Sequence, residues 1–173
     1  DFALAEDYPW TLGQFVWTGF DYLGEPSPYD TDSWPNHSSM FGIIDLASIP
    51  KDRYWLYRSV WNTESPTLHI VPHWTWPGRE GQVTPVYVYT SWPEAELFVN
   101  GVSQGRRSKM SPSAPCEGLQ DEAVEGRYRL MWDDVVYRKG EIRVVAYDAD
   151  GNVAASESVR TAGKPYALRL ECD

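Results

Sequence analysis

Cysteine is scarce in this chain of 173 residues, which contains only Cys116 and Cys172. Two cysteines do not make a disulfide framework, and without a Cys-x-x-Cys pair there is no signature of zinc or thiol redox chemistry. The sequence leaves open whether the two form a bridge. A Gly-x-Ser-x-Gly motif is also absent, as is a phosphate-binding loop, so the common serine-nucleophile and nucleotide signatures are missing. No cofactor is expected.

Long hydrophobic runs and positive charge are also in short supply. No apolar stretch approaches the ~20 residues of a membrane-spanning helix, and no signal peptide is recognisable. The chain begins at Asp1 without an initiator Met, so we expect it to be part of a longer protein. With 15 Lys and Arg against 25 Asp and Glu, the formal net charge is −10. This charge argues against a nucleic-acid partner, because phosphates need a cationic surface. The basic cluster Arg106, Arg107 and Lys109 is expected to be a solvated flank of a hairpin.

Aromatic residues, in contrast, are abundant, with 9 Trp and 11 Tyr. Such side chains fill all-β cores, and they also stack on flat apolar faces of ligands. Trp74, Trp76 and Trp92 could therefore form a carbohydrate-binding platform. We favour packing in a sandwich core or at a domain junction, because aromatic residues commonly fill these cores.

The first 62 residues predict one strand, one long loop and one helix, after a short helical or turn segment before Gly13. Phe15-Val16-Trp17 is typical of a buried strand in a parallel sheet. The irregular stretch from Gly19 to about Ser39 has the length of a functional loop. From Pro50 onward, apolar residues recur at three- and four-residue steps as far as Trp61, which predicts a helix. In an α/β barrel this set would be the final repeat.

From residue 63 to residue 173 the pattern is that of short strands. Alternating apolar residues mark about seven strands in roughly a hundred residues, which indicates an immunoglobulin-like sandwich. Asn100-Gly101 is a strong hairpin signal, and Lys109 to Gly126 is expected to be a loop. Eight extended segments, of which the one at Val102 is only a short hairpin arm, begin at Thr67, Pro85, Glu94, Val102, Tyr128, Glu141, Val153 and Tyr166, the last of them running to Cys172. The sequence therefore predicts a mainly β chain, with a barrel fragment over 1–62 and a sandwich over 63–173.

Trp17, Asp21 and Glu25 are the first candidates for a binding site. An indole face can stack on the apolar face of a sugar ring, and a nearby carboxylate can accept hydrogen bonds from its hydroxyls. The alternative is a Trp packed under a loop with surface acids beside it. A complete glycosidase pair made by Asp21 and Glu25 is disfavoured, because two acids four residues apart in a loop give no reason to flank a scissile bond.

The histidines give a weaker signal. His69 and His73 have a His-x3-His spacing, but they lie in a strand-like segment, where four residues span about 13 Å. This separation disfavours a shared metal ion, and no metal site is expected. His37 lies in the long loop, where a surface position and a pocket wall are both compatible with the sequence.

Several motifs resemble the C-terminal part of family 2 glycoside hydrolases, the β-galactosidase and β-glucuronidase relatives, and most of all the bacterial β-galactosidase-type enzymes. The end of the catalytic (β/α)8 barrel is matched by Gln14-Phe15-Val16-Trp17-Thr18-Gly19-Phe20-Asp21-Tyr22-Leu23-Gly24-Glu25-Pro26, then Phe41-Gly42-Ile43-Ile44-Asp45-Leu46 and Pro50-Lys51-Asp52-Arg53-Tyr54-Trp55-Leu56-Tyr57. The following immunoglobulin-like domain is matched by Tyr87-Val88-Tyr89, Glu96-Leu97-Phe98-Val99-Asn100-Gly101 and Arg160-Thr161-Ala162-Gly163-Lys164-Pro165. Together these motifs cover nearly the whole chain.

The resemblance implies a retaining glycosidase as the parent protein. It implies that Trp17 lines the sugar subsite next to the cleaved bond and that Asp21 borders the same pocket, so both are predicted to bind substrate. The two catalytic glutamates of the family lie on earlier barrel strands, and we expect them upstream of Asp1. The implied partners are a β-linked glycoside or oligosaccharide and the rest of the catalytic barrel. The parent is expected to be a bacterial periplasmic or secreted protein.

Two other interpretations of the sandwich stay open at this point. It could be a carbohydrate-binding or partner-binding module that acts without catalysis, or a structural spacer that packs on the barrel. Neither the sugar nor its linkage follows from the sequence, because galactose, glucuronate and mannose specificity depend on loops that are mostly upstream.

Overall fold

The structure is a computed structural model that describes residues 2–26, 38–111 and 121–171. Within these residues, no helix has both the length and the apolar character needed to cross a membrane. Its elements, in chain order, are α1 (Phe2–Asp7), α2 (Asp52–Trp61), β1 (Leu68–Val71), β2 (Val86–Thr90), β3 (Glu94–Val99), β4 (Val102–Ser108), α3 (Asp121–Glu125), β5 (Leu130–Trp132), β6 (Glu141–Tyr147) and β7 (Val153–Arg160).

The strands form two antiparallel sheets that pack face to face. One sheet has the order β1-β2-β5 and the other has the order β4-β3-β6-β7. Strict alternation along β3 buries Ala95, Leu97 and Val99, as expected where one face of a strand meets the core. Trp74, Trp132 and other apolar side chains of both sheets fill the space between them. The predicted mainly β sandwich is confirmed.

The hairpin between β3 and β4 turns at the predicted Asn100-Gly101 pair. Both residues have positive φ, 49° and 80°, which is the backbone of a two-residue turn that matches the twist of its strands. The Asn100 side chain accepts a hydrogen bond from the Glu141 N–H at 2.8 Å and donates one to the Lys139 carbonyl at 2.9 Å. The turn is therefore also fastened to the start of β6.

Helix α2 packs on the outer face of the three-stranded sheet. Because Ile70 and Val88 point into the core, their neighbours His69 and Tyr89 project from the opposite face. Trp55 of α2 stacks on the His69 ring with centroids 4.9 Å apart. The helix begins at Asp52 and ends at Trp61, in agreement with the prediction from the apolar spacing. Helix α1 agrees with the short helical segment expected before Gly13.

The predicted buried strand Phe15-Val16-Trp17 is wrong. No strand is present there, Phe15 is fully exposed and Trp17 is 72% exposed. A buried parallel strand needs neighbours on both sides and cover on both faces. Among the described residues, the backbone that follows Trp17 pairs on one side only, with the segment from Ser38 to Ile44. The pairing consists of a parallel bridge between Phe20 and Ile44 and an antiparallel bridge between Leu23 and Ser38.

Three other expectations need correction. The alternation from Tyr166 onward does not produce a strand, because within the described residues this segment has no ladder partner, and its apolar side chains are exposed. The expected loop between Lys109 and Gly126 contains the short helix α3. Lys109 is not solvated with the arginines: its Nζ donates to the Thr90 carbonyl at 2.5 Å, and burial lowers its pKa. Cys116, Cys172 and His37 lie outside the described residues.

Candidate functional site

The turn that follows Trp17 presents apolar side chains to solvent. Trp17, Phe20, Leu23 and Met40 are all more than half exposed. The Trp17–Thr18 peptide bond is cis. Exposed apolar side chains that cluster in one segment mark a surface used for binding or for packing against another part of a protein. The indole of Trp17 is therefore free to contact a ligand or a neighbouring chain segment.

Asp21 is the centre of the contacts that hold this turn. Its side chain is only 8% exposed, and its Oδ1 atom accepts hydrogen bonds from the Gly42 N–H at 2.8 Å and from the Lys51 Nζ at 2.7 Å. Lys51 also donates to the Met40 carbonyl at 3.3 Å. One carboxylate oxygen thus joins three segments: the turn after Trp17, the piece from Met40 to Gly42, and the start of α2.

Gly42 allows the close approach of two of these segments. A Cβ atom at Gly42 would lie 2.2 Å from the Asp21 nitrogen and 2.4 Å from the Phe20 carbonyl carbon. These are backbone atoms that cannot move aside, so position 42 requires glycine for steric reasons. Neither Gly42 nor Lys51 was among the predicted site residues, although both lie inside the family motifs. A lysine directly before α2 and an acid four residues after Trp17 were the sequence features that could have predicted the ion pair.

The predicted substrate-binding role of Asp21 remains a prediction, and the geometry gives this residue a second task. With Oδ1 occupied by two donors, the carboxylate holds the turn in place. Glu25 makes a different contact, in which its carboxylate accepts a hydrogen bond from the Tyr22 hydroxyl. Asp21 and Glu25 therefore have separate partners. Ser39 fixes the same turn with two groups: its hydroxyl accepts a hydrogen bond from the Tyr22 N–H, and its backbone N–H donates one to the Tyr22 carbonyl.

The three sandwich tryptophans do not share one exposed face. Trp74 is completely buried and donates its indole N–H to the Arg138 carbonyl at 3.1 Å, so it is a core residue. Trp76 and Trp92 are half-buried and pack against that core. Trp76 also stacks on His73, with centroids 4.1 Å apart, and lines a cavity of about 600 Å³ together with Pro77 and Tyr137.

The histidines lie in different surroundings. His69 contacts Asp52 and Glu157 beneath α2, whereas His73 stacks on Trp76. In the part of the chain that the structure describes, no group of three His, Cys, Asp or Glu side chains has the arrangement of a metal site.

Comparison with known proteins places these features in a family. A profile described as "Domain of unknown function (DUF4982)" matches residues 81–155. The chain is 43% identical over 171 residues to "Beta-galactosidase BoGH2A" of Bacteroides ovatus, covering 98% of this chain and 18% of that protein. A member of glycosyl hydrolase family 2 from Bacteroides cellulosilyticus superposes with a TM-score of 0.71 at 27% identity, over 92% of this chain and 23% of that one.

The chain corresponds to a C-terminal part of a glycoside hydrolase family 2 protein. A β-glycosidase structure from Bacteroides vulgatus agrees, with a TM-score of 0.75 and 36% identity over 97% of this chain and 18% of that one. This chain therefore spans about a fifth of the length of the relatives it matches.

Proposed function

We propose that this chain is part of a retaining glycoside hydrolase that acts on β-linked glycosides. Residues 1–62 supply the last portion of the catalytic barrel, including its final loop and helix, and residues 63–173 form an accessory immunoglobulin-like domain. The observation that carries the proposal is the exposed indole of Trp17 on a turn fixed by Asp21, Gly42 and Lys51. Similarity over nearly the whole chain to a β-galactosidase supports it.

In this proposal Trp17 stacks on the sugar ring next to the cleaved bond. A pyranose presents C–H groups on one face, and an indole in a fixed orientation offers an apolar platform for them. Asp21 borders the pocket and keeps the turn in position. The general acid/base and the nucleophile are two glutamates of the upstream barrel, since retention requires two carboxyl groups about 5–5.5 Å apart on either side of the glycosidic bond.

The 173-residue chain alone should therefore bind sugar weakly and turn over nothing. Purified chain incubated with nitrophenyl β-galactoside and nitrophenyl β-glucuronide should release no nitrophenol above the buffer rate. Turnover that persists through repeated purification would contradict the division of the site between this chain and the upstream barrel.

The role of Trp17 is tested in a longer protein that contains this chain together with the upstream barrel. Trp17→Ala should lower kcat/KM for the preferred glycoside by roughly 5- to 150-fold, taking the loss of one stacking contact as about 1–3 kcal/mol, as for a base stacked on an aromatic side chain. Trp10→Ala, which removes another exposed indole, is the matched control and should leave kcat/KM unchanged. Equal effects of the two substitutions would refute the assignment.

A second candidate function is saccharide binding by the sandwich itself, favoured by the cavity beside Trp76. Its walls are mostly apolar, as is usual for small-molecule sites, and the buried Trp76 indole N–H has no hydrogen-bond partner within the described part of the chain. Calorimetry of the chain with galactosides should then show heat that is lost in Trp76→Ala and kept in Trp92→Ala. Absence of heat with the unsubstituted chain would exclude this function for the sugars tested.

A further inference from the structure

A histidine between two carboxylates lies where α2 crosses the sandwich. His69 of β1 has its Nε2 atom 3.3 Å from Asp52 Oδ1 on α2 and its Nδ1 atom 4.0 Å from Glu157 Oε1 on β7. The Trp55 ring stacks on the imidazole, and the Tyr89 ring lies 6.4 Å away. The imidazole therefore bridges the helix and an edge strand of the second sheet.

Glu157 occupies an unusual position for an acid. It alternates along β7 with Ala155 and Val159, which pack against the core, and its paired residue on β6 is the fully buried Val144. Its side chain is 32% exposed, but the Oε2 atom is buried and has no hydrogen-bond partner among the described residues. An ionised carboxylate with one buried oxygen lacks part of the hydrogen bonding that water would give it. Burial raises the pKa of Glu157 to about 7.

The other charges around His69 are few. Asp52 faces it from α2, where Arg58 lies over the Trp55 ring. Tyr89 faces it from β2, and the charges of Arg129 and Asp52 both act on Tyr89. On β6, the residues on the face of Glu157 are Ile142, Val144 and Ala146, which carry no charge. Burial lowers the pKa of His69, and the nearby Asp52 carboxylate partly offsets this effect.

These surroundings determine where a proton binds first. With Glu157 ionised and His69 neutral, the imidazole donates its Nε2 hydrogen to Asp52 and turns the Nδ1 lone pair toward a carboxylate, which is a repulsive contact. One proton from solvent on Glu157 removes that repulsion. The acid can then donate to Nδ1 once the 4.0 Å separation shortens to hydrogen-bond length. The three groups then form a continuous chain of donors and acceptors from β7 to α2.

We propose that Asp52, His69 and Glu157 form a proton-operated latch between α2 and the sandwich, closed when one proton is shared by His69 and Glu157 and open when that proton leaves. The direction of the pH dependence follows from the raised pKa of the Glu157 carboxyl group. Its contribution to folding stability is complete below its ordinary pKa of 4.5 and is lost as pH rises through about 7. His69 opposes this at the acidic end, because stability from a lowered imidazole pKa is present above about 6.5 and lost as pH falls below it.

The test is the pH dependence of unfolding of the 173-residue chain. A shift from 4.5 to about 7 corresponds to at most ~300-fold in the unfolding equilibrium constant, and partial exposure of the carboxyl group reduces this to roughly 10- to 30-fold. We expect denaturant titrations to show the unfolding constant rising by that factor between pH 4 and 8, relative to Glu157→Gln. Glu64→Gln, an exposed acid, is the matched control and should follow the unsubstituted chain.

NMR supplies a measurement that does not depend on the variant folding. In the unsubstituted chain, the Glu157 carboxyl carbon should titrate near pH 7, and the His69 ring nitrogens should shift in the same step. Amide exchange in α2 should accelerate above pH 7 more than exchange in β6. A Glu157 titration near pH 4.5, or parallel pH profiles for Glu157→Gln and the unsubstituted chain, would overturn the proposal.

Discussion

Replacing Lys51 with Met should loosen the turn after Trp17 while leaving the sandwich intact. The Lys51 ammonium lies 2.7 Å from Asp21 Oδ1, and the carboxylate it contacts is almost completely buried. Met keeps most of the length of the side chain and removes the charge. The substitution leaves a carboxylate with only the Gly42 N–H donating to that oxygen.

The expected loss of stability follows from how far the Lys51 and Asp21 side chains are each buried. A hydrogen bond to a charged group contributes about 1.5–3 kcal/mol. The carboxylate is 8% exposed but the lysine side chain is 33% exposed, so water partly replaces the lost partner and screens the pair. A loss of about 2 kcal/mol is reasonable, which corresponds to roughly 30-fold in a local opening equilibrium.

Amide hydrogen exchange measures this local opening. The Gly42 N–H is bonded to Asp21 Oδ1, and the Asp21 N–H is bonded to the Ile44 carbonyl at 2.9 Å. Both should exchange roughly 30-fold faster in Lys51→Met, whereas amides of β6 should keep their rates. Lys139→Met is the control, because that lysine is 66% exposed and lies 3.5 Å from Glu80. Unchanged exchange at both amides, or an equal increase in the control, would refute the reasoning.

Three further substitutions test other parts of the structure. Gly42→Ala should destabilise the turn by about 3 kcal/mol, because the added carbon overlaps backbone atoms. Changed NMR chemical shifts in the residues after Trp17 should show this effect. Gly163→Ala is the control and should have little effect, because the space beside Gly163 is open. Trp74→Ala should cost about 4 kcal/mol in denaturant unfolding, and Trp10→Ala, at an exposed indole, less than about 0.5 kcal/mol. Asn100→Gly keeps the turn backbone but loses two hydrogen bonds, so unfolding should show a loss of about 1–2 kcal/mol.

The junction between helix and sandwich is polar as well as aromatic. Arg58 of α2 donates to the Thr67 hydroxyl at 2.7 Å and to the Ser65 hydroxyl at 2.8 Å, and Ser91 donates to the Ser59 carbonyl. On another side, the buried Arg127 is paired with Asp7 of α1 at 2.9 Å. These contacts join the N-terminal segment to the sandwich at separate points.

The sandwich was predictable because the patterns that specify its strands and its turn involve residues close together in the sequence. Two-residue alternation selects the buried face of each strand, and Asn100-Gly101 supplies the backbone angles of its turn without help from distant residues. The helix from Asp52 was predictable for the same reason, since its three- and four-residue apolar steps are visible in the sequence.

The site was only partly predictable. The family motifs predicted Trp17 and Asp21 as substrate-binding residues, which stays a prediction. They did not predict that Asp21 is held by Lys51 and Gly42, because residues 21 and 51 meet only after the chain folds back on itself. The failed strands at Phe15 and Tyr166 have the complementary explanation. An apolar pattern supplies the tendency to extend, but a strand needs partners to bond with, and the described residues offer Phe15-Val16-Trp17 no ladder partner.

By itself, the sequence determined the β-sandwich, helix α2, the Asn100-Gly101 turn and the family to which the chain belongs. These follow from periodicity, turn chemistry and motif, which act between residues near one another in the chain. The tertiary structure alone decided which ionisable groups meet. It buried Lys109, committed the Asp21 carboxylate to Lys51 and placed Glu157 beside His69, because burial and charge pairing depend on distances between elements that the linear order does not contain.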